Sequence, residues 1–223
     1  MHRKILLTGA TSKICTEFKN LCVNEQQSCV FVELGRSVTS SHRVDLANLD
    51  AIDCLAEVIC ECDKIVLAHG VIGTQRFAER TEQDIVDSVK TNLLSHIRII
   101  EIALEGNPNA RIVVVGSESG FKGSYDIAYA ISKAALHKYI EERKLKYSEQ
   151  QLVCVAPSIM VDAGMTTRRH DQENVQSSIL ANPKARGLTS METAKMIHFL
   201  LNVDRGYTSN VVIHMNGGKF ARM

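Results

Sequence analysis

The stretch Ile112–Gly120, which reads IVVVGSESG, is the part of the chain that decides the fold. Its four consecutive apolar residues predict a strand that is buried on both faces, as in a parallel sheet. The glycines and serines that follow predict a turn, and Ala128, Ile131, Ala135 and Ile140 then repeat with the period of a helix. Strand, turn and helix in this order indicate an α/β unit.

The same alternation extends in both directions along the chain. Further short apolar runs lie at Ile5–Thr8, Cys29–Leu34, Ile65–Ala68, Leu152–Ala156 and Val211–His214. Helical patterns separate them, notably over residues 85–100 and 191–201, and the polar segment Val38–His42 is predicted to be a loop. Because parallel neighbours need right-handed crossovers, we predict an α/β fold: a Rossmann-type doubly wound parallel sheet in a three-layer α/β/α sandwich.

Bulk properties predict one enzyme domain that spans residues 1–223. The chain is 45% hydrophobic and holds only three prolines, so it can fill a single core without an evident linker. Its net charge of +1, from 26 basic and 25 acidic residues, gives no electrostatic footprint for nucleic acid or an anionic membrane. No signal peptide or membrane-spanning run is apparent, which predicts a cytoplasmic protein that acts on small molecules.

The seven cysteines are an odd number and lie mainly among apolar neighbours, which predicts buried free thiols. Cys60 and Cys62 are candidates for half of a metal site, but no second Cys or His pair stands at zinc-type spacing. We therefore expect no metal.

Tyr129 and Lys133 are the candidate chemical groups. They stand four residues apart, so a helix places them on one face, and Ser117 follows the strand Ile112–Val115. An ammonium beside a phenol favours the phenolate, which predicts that Lys133 lowers the pKa of Tyr129. A hydroxyl at Ser117 then holds a substrate carbonyl oxygen against the phenol. The alternative is an interface tyrosine beside a solvated lysine, because isolated motifs match by chance.

The order of these motifs resembles the short-chain dehydrogenase/reductase family over nearly the whole chain. Thr8–Thr11 (TGAT) follows the first strand, and the Ser117, Tyr129 and Lys133 set follows in the family's order. Asn92 matches the family's helix asparagine, which supports a proton relay to the lysine; the alternative is an ordinary structural amide. The resemblance also implies a homodimer or homotetramer in which the helices around Asn92 and Tyr129 pack across a two-fold axis.

The turn after the first strand is expected to hold a dinucleotide pyrophosphate at a helix N-terminus. By resemblance its cofactor-binding residues are Gly9, Thr11, Ser12, Lys13 and Ile14. Lys13 and Cys15 replace the second and third glycines of the family's pattern. Lys13 adds a cation near the expected phosphate, and Cys15 is small enough for close packing of helix and strand. The alternative is a loop that no longer binds cofactor.

The residues that decide between NADP(H) and NAD(H) are expected just beyond the second strand. Arg36 stands where phosphate-binding family members often carry arginine, and Ser37 adds a hydroxyl, which favours NADP(H) over NAD(H). Glu33 is the competing signal, since an earlier strand end would turn its carboxylate towards the ribose. A plain solvent-facing Arg36 is the alternative.

The remaining cofactor contacts are implied by resemblance alone. Asp45 and Leu46 stand where the family meets the adenine, although Asp45 is also a candidate helix N-cap. His69 and Gly70 stand at the segment beside the adenosine, where His69 is expected to be a packed or cofactor-edge histidine rather than a catalyst. Two further cofactor-binding residues, Pro157 and Ile159, follow the fifth of these apolar runs.

The segment 162–187 is expected to form a substrate lid. Ser158 and Asp162 replace the family's glycine and its carboxamide-binding threonine, and Thr166 or Thr167 is a candidate for the latter role. Arg168–His170 suggests an anionic substrate or, equally, a solvated charge run.

Together these residues predict an enzyme that transfers a hydride between NADP(H) and a carbonyl or hydroxyl carbon of a small metabolite. Two alternatives remain open. One is a non-redox nucleotide-binding sensor or scaffold, which the departures at Lys13, Cys15, His69, Ser158 and Asp162 favour. The other is a dehydratase or epimerase with tightly held cofactor.

Overall fold

A computed structural model describes residues 3–25, 28–73, 80–168, 172–204 and 206–219. Two residues of the suggested charge run, Arg169 and His170, lie outside the described residues. The strands are β1 (Arg3–Thr8), β2 (Cys29–Gly35), β3 (His42–Arg43), β4 (Lys64–Leu67), β5 (Arg111–Val115), β6 (Gln151–Pro157) and β7 (Val211–Met215). The helices are α1 (Lys13–Asn24), α2 (Leu49–Asp53), α3 (Ala56–Cys60), α4 (Glu82–Val89), α5 (Ser95–Gly106), α6 (Ser119–Lys122), α7 (Ile127–Glu142), α8 (Gly164–Thr167), α9 (Gln172–Leu180) and α10 (Ser190–His198).

The strands form one parallel sheet in the order β3-β2-β1-β4-β5-β6-β7. The predicted doubly wound fold is therefore confirmed. Strand order reverses between β1 and β4, and in such sheets ligands bind at the carboxyl ends of the strands beside this reversal. No helix in the described part of the chain is long and apolar enough to cross a membrane.

Two hydrophobic clusters fill the space on the two faces of the sheet. Neighbouring strand residues alternate between them: Ile112 and Val114 belong to one cluster, whereas Val113 and Val115 belong to the other. Side chains of α3, α5 and α7 close the first cluster, and side chains of α1 and α10 close the second. The near-continuous apolar runs in the sequence reflect this burial on both faces.

Strand β3 is the element that sequence reasoning missed, because it has only two residues, both polar. It pairs with the end of β2 through Leu34 with His42 and Gly35 with Arg43, so His42 is in the sheet and not in the predicted loop.

The helical pattern over residues 85–100 is confirmed, but it is interrupted. A π-helical segment, Lys90–Leu94, joins α4 to α5, and a second one, Phe199–Val203, extends α10. Such segments insert an extra residue into a helix and are frequent at functional sites. Apolar spacing alone does not predict them.

Candidate active site

Helix α7 places Tyr129 and Lys133 side by side in the interior. Tyr129 is 7% exposed and Lys133 is 2% exposed, so the alternative of a solvated lysine is wrong. The Lys133 ammonium donates to the Val115 carbonyl oxygen at 2.9 Å and lies 5.8 Å from the centroid of the Tyr129 ring. Since Val115 ends β5, this bond fixes the helix against the carboxyl end of that strand.

Asp126 sets the start of α7. Its carboxylate accepts the Tyr129 N–H at 3.2 Å as the N-cap, the Gly73 N–H at 2.6 Å and the Arg80 guanidinium at 2.8 Å. The Asp126 side chain is fully buried, so these partners offset the cost of burying its charge. Sequence reasoning missed Asp126 and Arg80, although an aspartate three residues before the tyrosine is a recognisable N-cap signal.

Ser117 follows the end of β5, and its side chain is near enough to the Tyr129 phenol to affect the pKa of that phenol. The Ser117 hydroxyl oxygen also accepts the Ser119 N–H at 3.1 Å. The structure therefore brings together the serine, tyrosine and lysine that were predicted from the sequence, and their side chains converge beside β5.

Burial controls the electrostatics of this set. Burial raises the pKa of the Tyr129 phenol, and the hydrogen bond from Ser117 opposes this shift. Burial also lowers the pKa of Lys133 to about 8. The net pKa of Tyr129 is thus raised and not lowered as expected, because desolvation of the phenolate is the largest contribution. At neutral pH Tyr129 is thus a protonated acid.

Asn92 is fully buried on the π-helical segment. Its amide oxygen accepts the Val71 N–H at 2.9 Å, and its amide nitrogen donates to the Val71 carbonyl at 2.9 Å and to the Ser88 hydroxyl at 3.1 Å. A Cβ atom on Gly70 would lie 2.9 Å from the Asn92 oxygen and 3.9 Å from the Lys133 nitrogen. Gly70 therefore permits a close approach of the asparagine and the lysine.

The turn after β1 has the backbone form that a pyrophosphate needs. Gly9 has φ of +65°, and a Cβ atom there would lie 2.7 Å from the Ala68 carbonyl oxygen. The Ser12 N–H donates to the Gly9 carbonyl at 2.8 Å, and the Ser12 hydroxyl caps α1 by accepting the Cys15 N–H at 3.3 Å. This glycine-lined turn at the N-terminus of a long helix fits a dinucleotide phosphate.

The two glycine replacements behave differently. Cys15 is fully buried, and its sulfur lies 3.7 Å from the Thr8 carbonyl, so the expected close packing of helix and strand is confirmed. Lys13 is instead directed along α1, where its ammonium pairs with Glu17 at 2.7 Å while the side chain stays 47% exposed. Of the other turn residues, Thr11 is exposed and Ile14 is buried.

The residues expected to set cofactor preference lie at the carboxyl end of β2. Glu33 is within β2, and its carboxylate binds Lys19 of α1 at 2.8 Å. Arg36 follows the strand and is exposed, and the Ser37 hydroxyl lies 2.8 Å from the Thr39 hydroxyl. Because β2 extends to Gly35, the earlier strand end that would free Glu33 does not occur.

Asp45 is not a helix N-cap. Its carboxylate accepts the Ala47 N–H at 3.1 Å in a turn, while α2 begins later, at Leu49, with Asn48 as its cap. Leu46 is 6% exposed and belongs to the core.

His69 is a packed histidine, as expected. Its Nδ1 lies 2.6 Å from the Thr8 hydroxyl and its Nε2 lies 2.7 Å from the Ser95 hydroxyl. Because Ser95 donates its own proton to the Thr91 carbonyl at 2.8 Å, Nε2 must carry the proton and Thr8 must donate to Nδ1. Burial lowers the pKa of His69 to about 3, so this neutral ring joins β1 to α5.

Pro157 is the last residue of β6, and the next segment of the chain begins after it. The Ser158 N–H donates to the Met215 carbonyl at 3.1 Å, and the Ile159 carbonyl accepts the Leu188 N–H at 3.1 Å. Asp162, in place of the family's threonine, accepts the backbone and hydroxyl protons of Ser190, both at 2.9 Å, and so ties the segment to α10.

Helices α8 and α9 follow within the proposed lid. Thr166 and Thr167 lie on the single turn α8, where the Thr167 hydroxyl donates to the Gly164 carbonyl at 3.4 Å.

Comparisons with known proteins identify the family of this chain. The family model for short chain dehydrogenase matches residues 3–174. The 3-oxoacyl-[acyl-carrier-protein] reductase FabG of Vibrio cholerae is 24% identical over 187 residues, which are 79% of this chain and 76% of the relative.

Two solved structures share the fold. One is a short-chain dehydrogenase/reductase from Brucella melitensis, described as a glucose/ribitol dehydrogenase, with a TM-score of 0.86 and 20% identity over 99% of this chain and 97% of that chain. The other is an actinorhodin polyketide ketoreductase with NADPH, with a TM-score of 0.81 and 19% identity over 98% of this chain and 97% of that chain. The match over residues 3–174 covers well over half of the sequence, so the chain belongs to the short-chain dehydrogenase/reductase family and is an NAD(P)-dependent oxidoreductase acting on CH–OH or C=O groups.

Proposed function

We propose that this oxidoreductase prefers NADP(H) and interconverts a carbonyl and an alcohol on a small metabolite. The observation that carries the proposal is the buried phenol of Tyr129 beside the buried ammonium of Lys133, with Ser117 close to the phenol. A protein that only bound nucleotides would have no chemical need for a buried acid at this position.

The chemistry uses Tyr129 as the proton donor and acceptor. In reduction, the hydroxyls of Ser117 and Tyr129 hold the substrate carbonyl oxygen. A nicotinamide bound beside these residues would supply the hydride for the carbonyl carbon. Tyr129 gives its proton to the oxygen, which yields the alcohol. The raised pKa keeps the phenol protonated before this transfer. In oxidation, Tyr129 takes the proton back.

Lys133 and Asn92 complete the set as supporting groups. With a pKa of about 8, Lys133 is largely an ammonium at neutral pH, and its buried charge stabilises the negative charge that Tyr129 carries after proton transfer. The same ammonium would hold ribose hydroxyls of the cofactor. Asn92 fixes the Val71 backbone next to Lys133, which supports a path for the replacement proton.

The phosphate turn supplies the main cofactor contacts in this proposal. Gly9, Thr11, Ser12, Lys13 and Ile14 would surround the pyrophosphate, and the free N–H groups of α1 would bind its oxygens. Further contacts would come from Asp45, Leu46, His69, Gly70, Pro157 and Ile159.

Preference for NADP(H) depends on Arg36 and Ser37. Glu33 is bound to Lys19, so its carboxylate is not directed at the ribose, whereas Arg36 is exposed at the strand end and can pair with a 2′-phosphate. The ketoreductase that shares the fold was solved with NADPH, which supports the same choice.

The segment 162–187 would close over the substrate. Arg168, which ends α8, is the described member of the basic run and offers a partner for an anionic substrate group. The similarity to a 3-oxoacyl-[acyl-carrier-protein] reductase makes 3-oxoacyl thioesters the first substrates to test.

A homodimer or homotetramer would cover apolar side chains on the helices beside the site. Ile127 and Ile131 of α7 are 45% and 58% exposed, and Val86 and Leu94 of the neighbouring helix are 38% and 37% exposed. Covering them against a second copy would remove this apolar area from water.

A nucleotide-binding scaffold is the second candidate. It is favoured by Lys13, which is paired with Glu17, and by Asp162, whose carboxylate is bound to Ser190 and has no hydroxyl to offer a nicotinamide carboxamide. A scaffold would bind nucleotide without turnover.

Fluorescence titration with NADPH and NADH tests the proposal first, followed by a screen for NADPH consumption with 3-oxoacyl thioesters, aldehydes and ketones. We expect tighter binding of NADPH and a loss of that preference in Arg36→Ala. Arg98→Ala, which removes an exposed arginine from α5, is the matched control. Binding of neither cofactor would contradict the proposal, and binding without consumption would favour the scaffold.

A further inference from the structure

His137 is a third buried polar residue on the face of α7 that carries Tyr129 and Lys133. The three residues follow one another at intervals of four, and His137 is 3% exposed. Helix spacing therefore directs it towards the end of β5, one turn beyond Lys133, where the chemistry described so far does not use it.

The backbone around Ser117 explains what His137 contacts. Gly116 and Glu118, on either side of Ser117, donate their N–H groups to Val155 and Pro157 of β6 at 2.8 and 2.9 Å. Alternate residues of a parallel strand bond to opposite neighbours, so the Ser117 N–H is directed away from β6. It donates instead to Nε2 of His137, at 3.3 Å.

Close packing holds the imidazole in this position. A Cβ atom on Gly116 would lie 2.4 Å from His137 Nε2, and one on Gly120 would lie 2.6 Å from Cε1, so both glycines leave room for the ring. The ring also stacks on Phe121, with centroids 4.7 Å apart and planes 26° apart. The strand end and α6 thus enclose the imidazole.

The surroundings keep His137 neutral. Burial, the Lys133 ammonium and His214 of β7 together lower the pKa of His137 to about 3. Cys154 of β6, whose sulfur also lies beside the Cβ position of Gly116, is neutral as well because burial raises the pKa of its thiol to about 12. Since Nε2 accepts the Ser117 proton, the ring proton must be on Nδ1.

We propose that His137 is a positioning residue, whose neutral imidazole accepts the Ser117 N–H and so directs the Ser117 hydroxyl towards Tyr129. Ser117 is then held at two points, its N–H by His137 and its hydroxyl oxygen by the Ser119 N–H at 3.1 Å, and its side chain lies near the Tyr129 phenol. The kinetic consequence rests on the proposed function, whereas the hydrogen bond itself does not.

NMR spectroscopy of the native protein, labelled with ¹⁵N at histidine, tests the hydrogen bond without substrate. We expect His137 to be the Nδ1–H tautomer and to show no titration between pH 5 and pH 8. An Nε2–H tautomer, or a titration midpoint in that range, would overturn the proposal.

Two variants then separate positioning from general packing. His137→Leu removes the acceptor, and His137→Gln retains one on a side chain of similar reach. Amide exchange at Ser117 should accelerate about tenfold in His137→Leu, because a hydrogen bond of ordinary strength is lost, and should stay near the native rate in His137→Gln. Equal exchange in the native protein and His137→Leu would overturn the proposal. If His137→Leu does not fold, the tautomer of His137 in the native protein and the Ser117 amide exchange of His137→Gln still test the proposal.

Kinetics provide the functional readout. With a 3-oxoacyl thioester and NADPH, His137→Leu should lower kcat about tenfold with little change in the KM for NADPH, and His137→Gln should recover most of the loss. Native protein that shows the expected tautomer but no turnover with any carbonyl would disprove the proposed function and leave the positioning hydrogen bond standing. Turnover that is unaffected in His137→Leu would disprove positioning alone.

Discussion

The face of α7 that carries Tyr129 and Lys133 differs from the turn Gly9–Cys15 in how far it departs from the family. Both lie at the carboxyl edge of the sheet, near the reversal of strand order. On α7 the serine, tyrosine and lysine are all present and buried together, whereas in the turn Lys13 and Cys15 stand in place of two glycines.

The difference follows from what each region has to supply. Proton transfer needs particular side chains. The proposed acid is a phenol beside an ammonium, so a substitution of either side chain removes the function. A phosphate cradle needs backbone N–H groups and a close chain approach, which Gly9 and the Ser12 cap still provide. The turn can therefore change its side chains as long as its backbone keeps its path.

Removal of the phenol is expected to have the largest effect. Tyr129→Phe should lower kcat by roughly 10³-fold, because general acid–base catalysis of this kind contributes about 10²–10⁴-fold, while NADPH binding stays near native. Tyr139→Phe is the matched control, since it removes a phenol on the same helix that binds Glu101 at 2.5 Å instead of Ser117. Steady-state kinetics and NADPH titration measure both. Equal activity of the two variants would show that the Tyr129 phenol has no special role, and the contrast between α7 and the turn Gly9–Cys15 would be lost.

Substitution of Gly9 tests the backbone of the turn. Gly9→Ala should destabilise the protein by about 2–4 kcal/mol and abolish NADPH binding, because the new Cβ would collide with the Ala68 carbonyl in addition to the strain of a positive φ.

Gly123→Ala separates the collision from the strain. Gly123 has φ of +88° and ψ of 177°, a conformation that almost only glycine adopts, and open space around its Cβ position, so the variant should cost about 1–3 kcal/mol from strain alone and leave NADPH binding near native. Urea denaturation and NADPH titration compare the pair. Similar losses in the two variants would mean that the close approach to Ala68 is unimportant.

We expect folding stability to decrease at acid pH because of the region around α7, where histidines are buried in the neutral form. His96 is fully buried and stacks on His69 at 3.8 Å, and burial lowers its pKa well below the ordinary value of 6.5. As the pH falls below about 6.5, the unfolded chain binds a proton that the folded protein does not, so stability decreases.

His96→Phe keeps the stacking and removes the titration. Its free energy of unfolding should fall less steeply than that of the native protein below pH 6, by about 1.4 kcal/mol per pH unit. Urea denaturation at pH 7, 6 and 5 measures the slopes. Parallel curves for the two proteins would show that His96 does not remain neutral in the folded state.

Lys13 is expected to have the smallest effect. Lys13→Ala should weaken NADPH binding by about twofold to fivefold, since an exposed cation near a phosphate contributes at most about 1 kcal/mol. Lys138→Ala removes a lysine that is also paired within a helix, to Glu142 at 2.5 Å, and should leave NADPH binding unchanged. If Lys13→Ala binds NADPH as the native protein does, the turn acts through its backbone alone.

Much of the fold and part of the site could be predicted from the sequence. Apolar runs such as Ile112–Val115 identify buried strands, and the spacing of Tyr129 and Lys133 identifies a shared helix face. Strand β3 could not be found in this way, because two polar residues at a sheet edge leave no apolar pattern.

Contacts between distant segments were beyond prediction for a different reason. The Tyr129 pKa is raised by burial, which only the fold determines, and no local motif reveals the bond of Lys133 to the Val115 carbonyl. The links of Asp126 to Arg80 and of His137 to Ser117 likewise join residues that only the fold brings together.

Deuterium transfer tests the central claim most directly. Native protein is incubated with NADPH that carries deuterium at the transferable position and with 3-oxoacyl thioesters, aldehydes and ketones, and the products are analysed by mass spectrometry. The proposed mechanism predicts that the native protein forms a deuterated alcohol and that Tyr129→Phe forms almost none in the same time. Native protein that binds NADPH yet transfers no deuterium, or Tyr129→Phe that transfers it at the native rate, would contradict the proposed mechanism.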